Sequence, residues 1–326
     1  MGKEFHRPGG QFPSTPWIDP RHPKGIPSRG GPGWSLVLWI LVAFGLILGV
    51  PAGSPGGVEP PVPASSPPRR LVSLAPSLTE MVFALGAGDR LVGADRHSDY
   101  PPEAQRLPRV GSYIHPDVER IAALRPDLVL AVRDGTPPHI PDRLRSLGIP
   151  VFLADPRTLE GVIHTIEELG GQLGVADRAA ELARDLTRRL GRIREMGTRV
   201  ARRPRVFFQI GVAPIVSVGH LSLIHELIHT AGGHNVAAGT TGYPRFSREQ
   251  VLALQPEVII ITTMERQGGW EDVKAEWERW PELPAARNGR IHLINSDVVD
   301  RPGPRLLDGL ELLFRLLHPE LAGEIG

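Results

Sequence analysis

From residue 69 onward the apolar positions follow two alternating rhythms. "RRLVSLA" (from Arg69), "RLVGAD" (from Arg90), "DLVLAV" (from Asp127) and "IPVFLA" (from Ile149) are short, dense aliphatic runs of buried-strand length. Between them, "PSLTEMVFALGAG" (from Pro76) and "PDRLRSLG" (from Pro141) carry apolar residues at helical spacing. In the first of these, Ser77 and Glu80 have the spacing of a capping box, and "GAG" supplies a stop. Strands alternating with helices in this way predict a parallel sheet covered on both faces. The rhythm breaks at Thr158: to about Val200 the pattern is almost continuously helical, interrupted near Gly170–Gly174. Its second part predicts a helix of ~25 residues, roughly 35–40 Å long, which suits a rod joining two lobes. After Pro204 the alternation resumes with "RVFFQIG", a helix over "HLSLIHELIHTAGG", "VIIITT", a helical segment around Trp270–Trp280, "IHLINS" and a last helix from about Gly303 to Leu317.

One unit occurs twice. In "PDVERIAALRPDLVLA" and "SREQVLALQPEVIIIT", Glu119, Leu124, Pro126 and Asp127 return 130 residues later as Glu249, Leu254, Pro256 and Glu257. Each copy predicts a two-turn helix, capped by Asp117 or by a Ser247–Gln250 capping box, halted by Pro and run into a buried strand. A carboxylate in the first turn stabilises a helix through its dipole, and that alone explains a single such Glu. Two equivalent carboxylates, one per lobe, are also what a protein needs to sit astride a two-fold symmetric partner bearing a basic residue in each half.

The first 68 residues have a different character. Residues 1–33 are Gly- and Pro-rich with scattered Lys and Arg, and read as a disordered cytoplasmic leader. Residues 34–50, "WSLVLWILVAFGLILGV", run uncharged and predict a transmembrane anchor or signal segment; basic residues before it place the remainder on the extracytoplasmic side. Pro51 disfavours cleavage after Ala52, which favours an uncleaved anchor. Residues 51–68 are a Pro-rich tether. The remaining divisions are an N-terminal lobe over 69–170, a linking helix over 171–203 and a C-terminal lobe over 204–326. A formal charge of +1 gives no case for nucleic acid, and zero cysteines exclude disulfides, thiolate metal sites, a cysteine nucleophile and a lipid-modified N-terminal cysteine.

Candidate chemistry is sparse. "HELIH" places His225 and His229 on one helical face with Glu226 beside the first, the pattern of a zinc metalloprotease. The third ligand position holds Asn235, with His234 one residue short of it. The alternative is a lobe helix that buries Leu223, Ile224, Leu227 and Ile228, leaves both histidines on its flank and closes at Gly232–Gly233. The turns "ALGAGDRLVG" and "HTAGGHN" follow helices and suit C-caps rather than a dinucleotide fingerprint, and no GxSxG or phosphate-loop pattern is present.

Several segments together are more informative. "RLVSLAPSLTEMVFALGAGDRLVGADRHSDYPPEA", the two repeats, "TAGGHNVA" and "NSDVVDRPGPRLLDGLELL" resemble, in order, the periplasmic cobalamin-binding proteins of ABC importers, within a family that includes siderophore and haem binders. The resemblance covers Arg69 to the C-terminus. It implies a class III binding protein, with two Rossmann-like lobes joined by one long rigid helix and ligand held between them, without catalysis or a resident cofactor. The implied ligand is cobalamin or a related corrinoid, with haem or a ferric siderophore as the alternative. Carried over by position, Glu119 and Glu249 dock on an ABC permease dimer that works with its ATPase. His97, Tyr113, Tyr243, Asp297 and Arg301 become ligand contacts. Val132, Val216 and Val298 stand where cobalamin binders have further aromatics, which removes stacking surface.

Overall fold

The computed structural model describes residues 66–262 and 269–325. The leader, the predicted membrane segment 34–50 and nearly all of the tether lie outside the described residues. Among the described residues no helix is long and apolar enough to cross a membrane.

The aliphatic runs form two parallel sheets. The first lobe contains β1 (Leu71–Ser73), β2 (Leu91–Ala94), β3 (Gly111–Ser112), β4 (His115–Pro116), β5 (Leu128–Val132) and β6 (Val151–Ala154), with helices α1 (Pro76–Ala84), α2 (Val118–Ala123) and α3 (His139–Ser146). Its main sheet has the order β2-β1-β5-β6, while β3 and β4 form a separate antiparallel hairpin. Two long helices follow, α4 (Leu159–Gln172) and α5 (Ala176–Arg199). The second lobe contains β7 (Arg205–Gln209), β8 (Ile215–Val216), β9 (His234–Asn235), β10 (Arg245–Phe246), β11 (Val258–Ile261) and β12 (Ile291–Leu293). Its helices are α6 (Leu223–Thr230), α7 (Arg248–Leu254), α8 (Trp270–Glu278), α9 (Pro284–Arg287) and α10 (Leu306–Leu317). The second main sheet runs β12-β11-β7-β9, with β8 and β10 paired antiparallel beside it. Counting only the main-sheet strands, both lobes therefore read second–first–third–fourth, and each has an antiparallel pair leading into the short repeated helix. The two-residue β9 is a strand where the sequence predicts only a lead into a loop.

The repeat is explained residue by residue. Asp117 and Ser247 cap α2 and α7, and the Ser247–Gln250 box is complete. Arg125 (φ 46°) and Gln255 (φ 45°) both take the left-handed conformation that ends a helix just before proline. The Arg70 guanidinium donates to the Leu124 carbonyl at 2.7 Å, and Arg205 donates to Leu254 at 2.7 Å. Asp127 accepts from the Arg70 amide and Glu257 from the Arg205 amide, both at 2.9 Å. Leu124 and Asp127, like Leu254 and Glu257, thus stitch the repeated helix to the first strand of each sheet. Glu119 and Glu249 take no part in this stitching and are exposed.

One feature differs from the sequence expectation. Pro76, preorganised for the first helical position, starts α1 with Ala75 as N-cap, so the Ser77–Glu80 box does not form. The long helix α5 is present as expected, and it is packed along its length. Ala179, Ala183, Leu186, Leu190, Ile193 and Met196 make a buried stripe at three- and four-residue spacing along its length. That stripe belongs to one apolar core that runs from Leu71 and Leu78 in the first lobe to Leu310 and Phe314 in the second. Smaller cores cover the opposite sheet faces, around Val129 and Leu144 in one lobe and Phe207 and Trp277 in the other.

Candidate ligand cleft

In open parallel sheets, ligands bind outside the carboxyl ends of the strands, where the strand order reverses. Here those points lie after β1 and β5 and after β7 and β11. The predicted contacts sit on segments that follow neighbouring strands of the same sheets: His97 and Tyr113 after β2, Tyr243 after β9, and Asp297 and Arg301 after β12. Tyr113 sits at the tip of the β3–β4 hairpin, its ring packed over Gly135, where an added Cβ would come within 2.6 Å of it. Tyr243 lies 130 residues on, just before β10, and is 63% exposed. Burial of part of its ring raises its phenol above the usual range, and Asp134, Asp300 and Tyr113 act in the same direction. The two equivalent tyrosines thus come from opposite lobes into one electrostatic neighbourhood.

The Asp297–Arg301 pair forms at 2.7 Å, but Arg301 does more than pair with Asp297. It also donates to Asp99 at 3.0 Å, to Glu80 at 3.1 Å and to the His97 carbonyl at 3.3 Å, all in the first lobe. Arg305, at the N-cap of α10, forks onto both oxygens of Glu80 at 2.7 and 2.8 Å, and its guanidinium lies 3.7 Å from the Tyr100 ring centroid. Glu80 is only 2% exposed at its side chain, Arg301 12% and Arg305 17%. The structure therefore brings Asp297 and Arg301 together, with the backbone of His97 beside them; the His97 side chain is exposed. Sequence reasoning missed Glu80, Asp99, Tyr100 and Arg305. The one available signal for Glu80 was a carboxylate on a helix face otherwise occupied by buried residues.

Asp300 lies between these groups and the β11 end. One carboxyl oxygen accepts from Thr262 Oγ1 at 3.2 Å, and the other is buried without a partner. Burial, with Asp297 nearby, pushes its carboxyl up to about 7.

The HELIH histidines are arranged otherwise than a metalloprotease requires. Glu226 accepts the Leu159 amide at 3.0 Å and so satisfies the first free N–H of α4, while Thr158 takes that of Gly161. Burial, with Glu160 close by, raises the Glu226 carboxyl. His225 is held below the usual imidazole range by burial and by the neighbouring histidines, and Asn235 Nδ2 lies 3.3 Å from its Nδ1. Of the four residues the lobe-helix alternative buries, Ile224, Leu227 and Ile228 are buried and Leu223 is half-buried. Among the described residues no group of three or more His, Asp or Glu is placed to hold a metal ion.

Comparison with known proteins agrees with this architecture. Residues 71–298 match the periplasmic binding protein family, and the chain belongs to it. It is 36% identical over 250 residues to the vitamin B12-binding protein of Vibrio parahaemolyticus, covering 76% of this chain and 88% of that protein. Among solved structures it is similar to the periplasmic vitamin B12 binding protein BtuF of Vibrio cholerae, with a TM-score of 0.68 and 33% identity over 79% of this chain and 99% of the other. The haem-binding protein RhuT of Roseiflexus sp. RS-1 gives a TM-score of 0.69 at 29% identity, covering 78% and 99%. Members of this family bind solutes, and the match lends no support to a peptidase.

Proposed function

We propose that this protein is the solute-binding subunit of an ABC importer that captures cobalamin or a related corrinoid between its lobes and catalyses no reaction. Residues 34–50 would anchor it at the extracytoplasmic face of the membrane. The observation that carries the reading is that Tyr113 and Tyr243 hold equivalent places in the two lobes, close enough for Tyr113 to act on the Tyr243 phenol. Similarity to vitamin B12-binding relatives supports it. Tyrosine rings offer broad apolar faces with a polar tip, suited to a macrocycle that carries amide side chains. No resident cofactor enters this scheme.

Haem is the second reading, favoured by the likeness to haem-binding structures and by the exposed imidazole of His97 near the cleft. Against it stands the charge pattern. Haem brings two propionates, whereas Arg301 and Arg305 already face Glu80, Asp99 and Asp297.

Delivery would use Glu119 and Glu249, exposed at the first turns of equivalent helices and available to arginines in each half of a permease dimer. The Ser247 hydroxyl holds the Glu249 carboxyl below the usual range, so it is charged at neutral pH. Exchanging both glutamates for Arg is expected to abolish cellular uptake of radiolabelled cobalamin while leaving binding by the purified chain intact. Undiminished uptake would rule out the docking role.

A further inference from the structure

We propose that Glu80 is a specificity-determining residue of the cleft: it supplies, from the first lobe, the carboxylate that Arg301 and Arg305 of the second are arranged to hold, and so keeps both guanidiniums from acidic ligands. The inference rests on the cleft being the ligand site and adds the chemical class that the site refuses.

The geometry is that of a bound carboxylate. Arg305 approaches through Nε and Nη2, one to each oxygen, in the bidentate fork that guanidinium groups make with carboxylates and phosphates. Arg301 adds a third donor to Oε1 at 3.1 Å. Tyr100 covers the Arg305 guanidinium, as an aromatic ring flanks a cation in a recognition site. Here the acid comes from residue 80 of the same chain, more than 220 residues away and in the other lobe. The approach is close as well as charged: a Cβ at Gly303 would lie 3.5 Å from the Ser77 backbone and 3.6 Å from Glu80 Oε2. Because the group is nearly enclosed, water and salt screen it poorly, and removal of the anion would leave Arg305 without its carboxylate while Arg301 keeps only Asp99 and Asp297.

A neutral, amide-bearing ligand does not compete for those charges. A dicarboxylate such as haem does. Glu80 therefore lets the same two-lobed cleft favour amide-rich macrocycles over acidic ones, because it leaves the acid site already filled.

The test compares haemin with haemin dimethyl ester, which differ only in free carboxylates, on the full chain and on Glu80→Gln. The expected result is that Glu80→Gln gains about tenfold in affinity for haemin relative to the diester, and that adding Arg301→Gln and Arg305→Gln removes the gain. An unchanged haemin-to-diester ratio in Glu80→Gln would overturn the proposal. A second variant needs no macrocycle. Glu80→Ala should show a thermal midpoint that rises with added propionate but not with propionamide, while the unmodified chain responds equally to both. Absence of that carboxylate-specific response would overturn the proposal equally. Failure of cyanocobalamin to bind would remove the corrinoid reading and leave the propionate result to decide on Glu80.

Discussion

Asp300 sets how single side chains govern the response of this protein to pH. Its carboxyl titrates at about 7 in the folded chain, against about 3.9 when unfolded. Between those values the folded state holds a proton that the unfolded state has lost, so this contribution to stability is present at low pH and falls as pH rises to about 7. The span of about three pKa units, at about 1.4 kcal/mol each, bounds the effect near 4 kcal/mol. Asp300→Asn is expected to be about 1–3 kcal/mol more stable than the unmodified chain at pH 8, with the advantage reduced at pH 5 and gone by about pH 4, in urea unfolding at the three values. His318 and His292 act in the opposite direction. Burial holds both below the usual imidazole range, so the unfolded chain takes up protons first as pH drops below about 6.5, and stability falls on acidification. A His318→Asn chain should therefore show a flatter acid limb in thermal melts between pH 7 and 5. Of the residues near the proposed cleft, Tyr113, Tyr243, Asp297 and Arg301 were reached through resemblance, and the structure forms the Asp297–Arg301 pair. Glu80 was legible only as a capping residue, because its spacing from Ser77 is a local signal and its real partners lie in the other lobe.

At the scale of elements, the repeat separates scaffold from function. The caps of α2 and α7 do the same work in both lobes, so Asp117→Ala and Ser247→Ala should each cost about 1 kcal/mol, read from denaturant midpoints, and neither should alter ligand affinity. Equal losses would fit the equivalence of the two units, and an affinity change would place the caps closer to the ligand than the geometry puts them. Strand and helix positions were legible wherever the apolar run was long: β5, β7 and β11 fall inside their predicted segments, and α5 spans 24 residues where ~25 were expected. The two-residue strands were not, since β8, β9 and β10 are fixed by pairing with distant segments and the β3–β4 hairpin is too short to show an apolar rhythm. The HELIH helix shows the converse error a motif invites. Histidines at i and i+4 do share a face, but the neighbouring Glu226 is turned to the N-terminus of α4, a contact no local spacing reveals.

Taken whole, the molecule is a duplicated strand order around one shared core. Because that core continues from sheet to sheet through α5 and α10, and because Glu80 and Glu226 each reach across to the other lobe's backbone or side chains, relative motion of the lobes works against packing as well as against a linker. The sequence pattern announced two lobes and a long helix. It did not show that the helix lies within the core, because a buried stripe on an Arg-rich helix looks the same whether it meets one neighbour or several. The most direct measurement is isothermal titration of the full chain with cyanocobalamin. One saturable site per chain, weakened at least tenfold by Tyr113→Ala and again by Tyr243→Ala, is the predicted result. No binding of cyanocobalamin, or binding indifferent to both tyrosine substitutions, would contradict it.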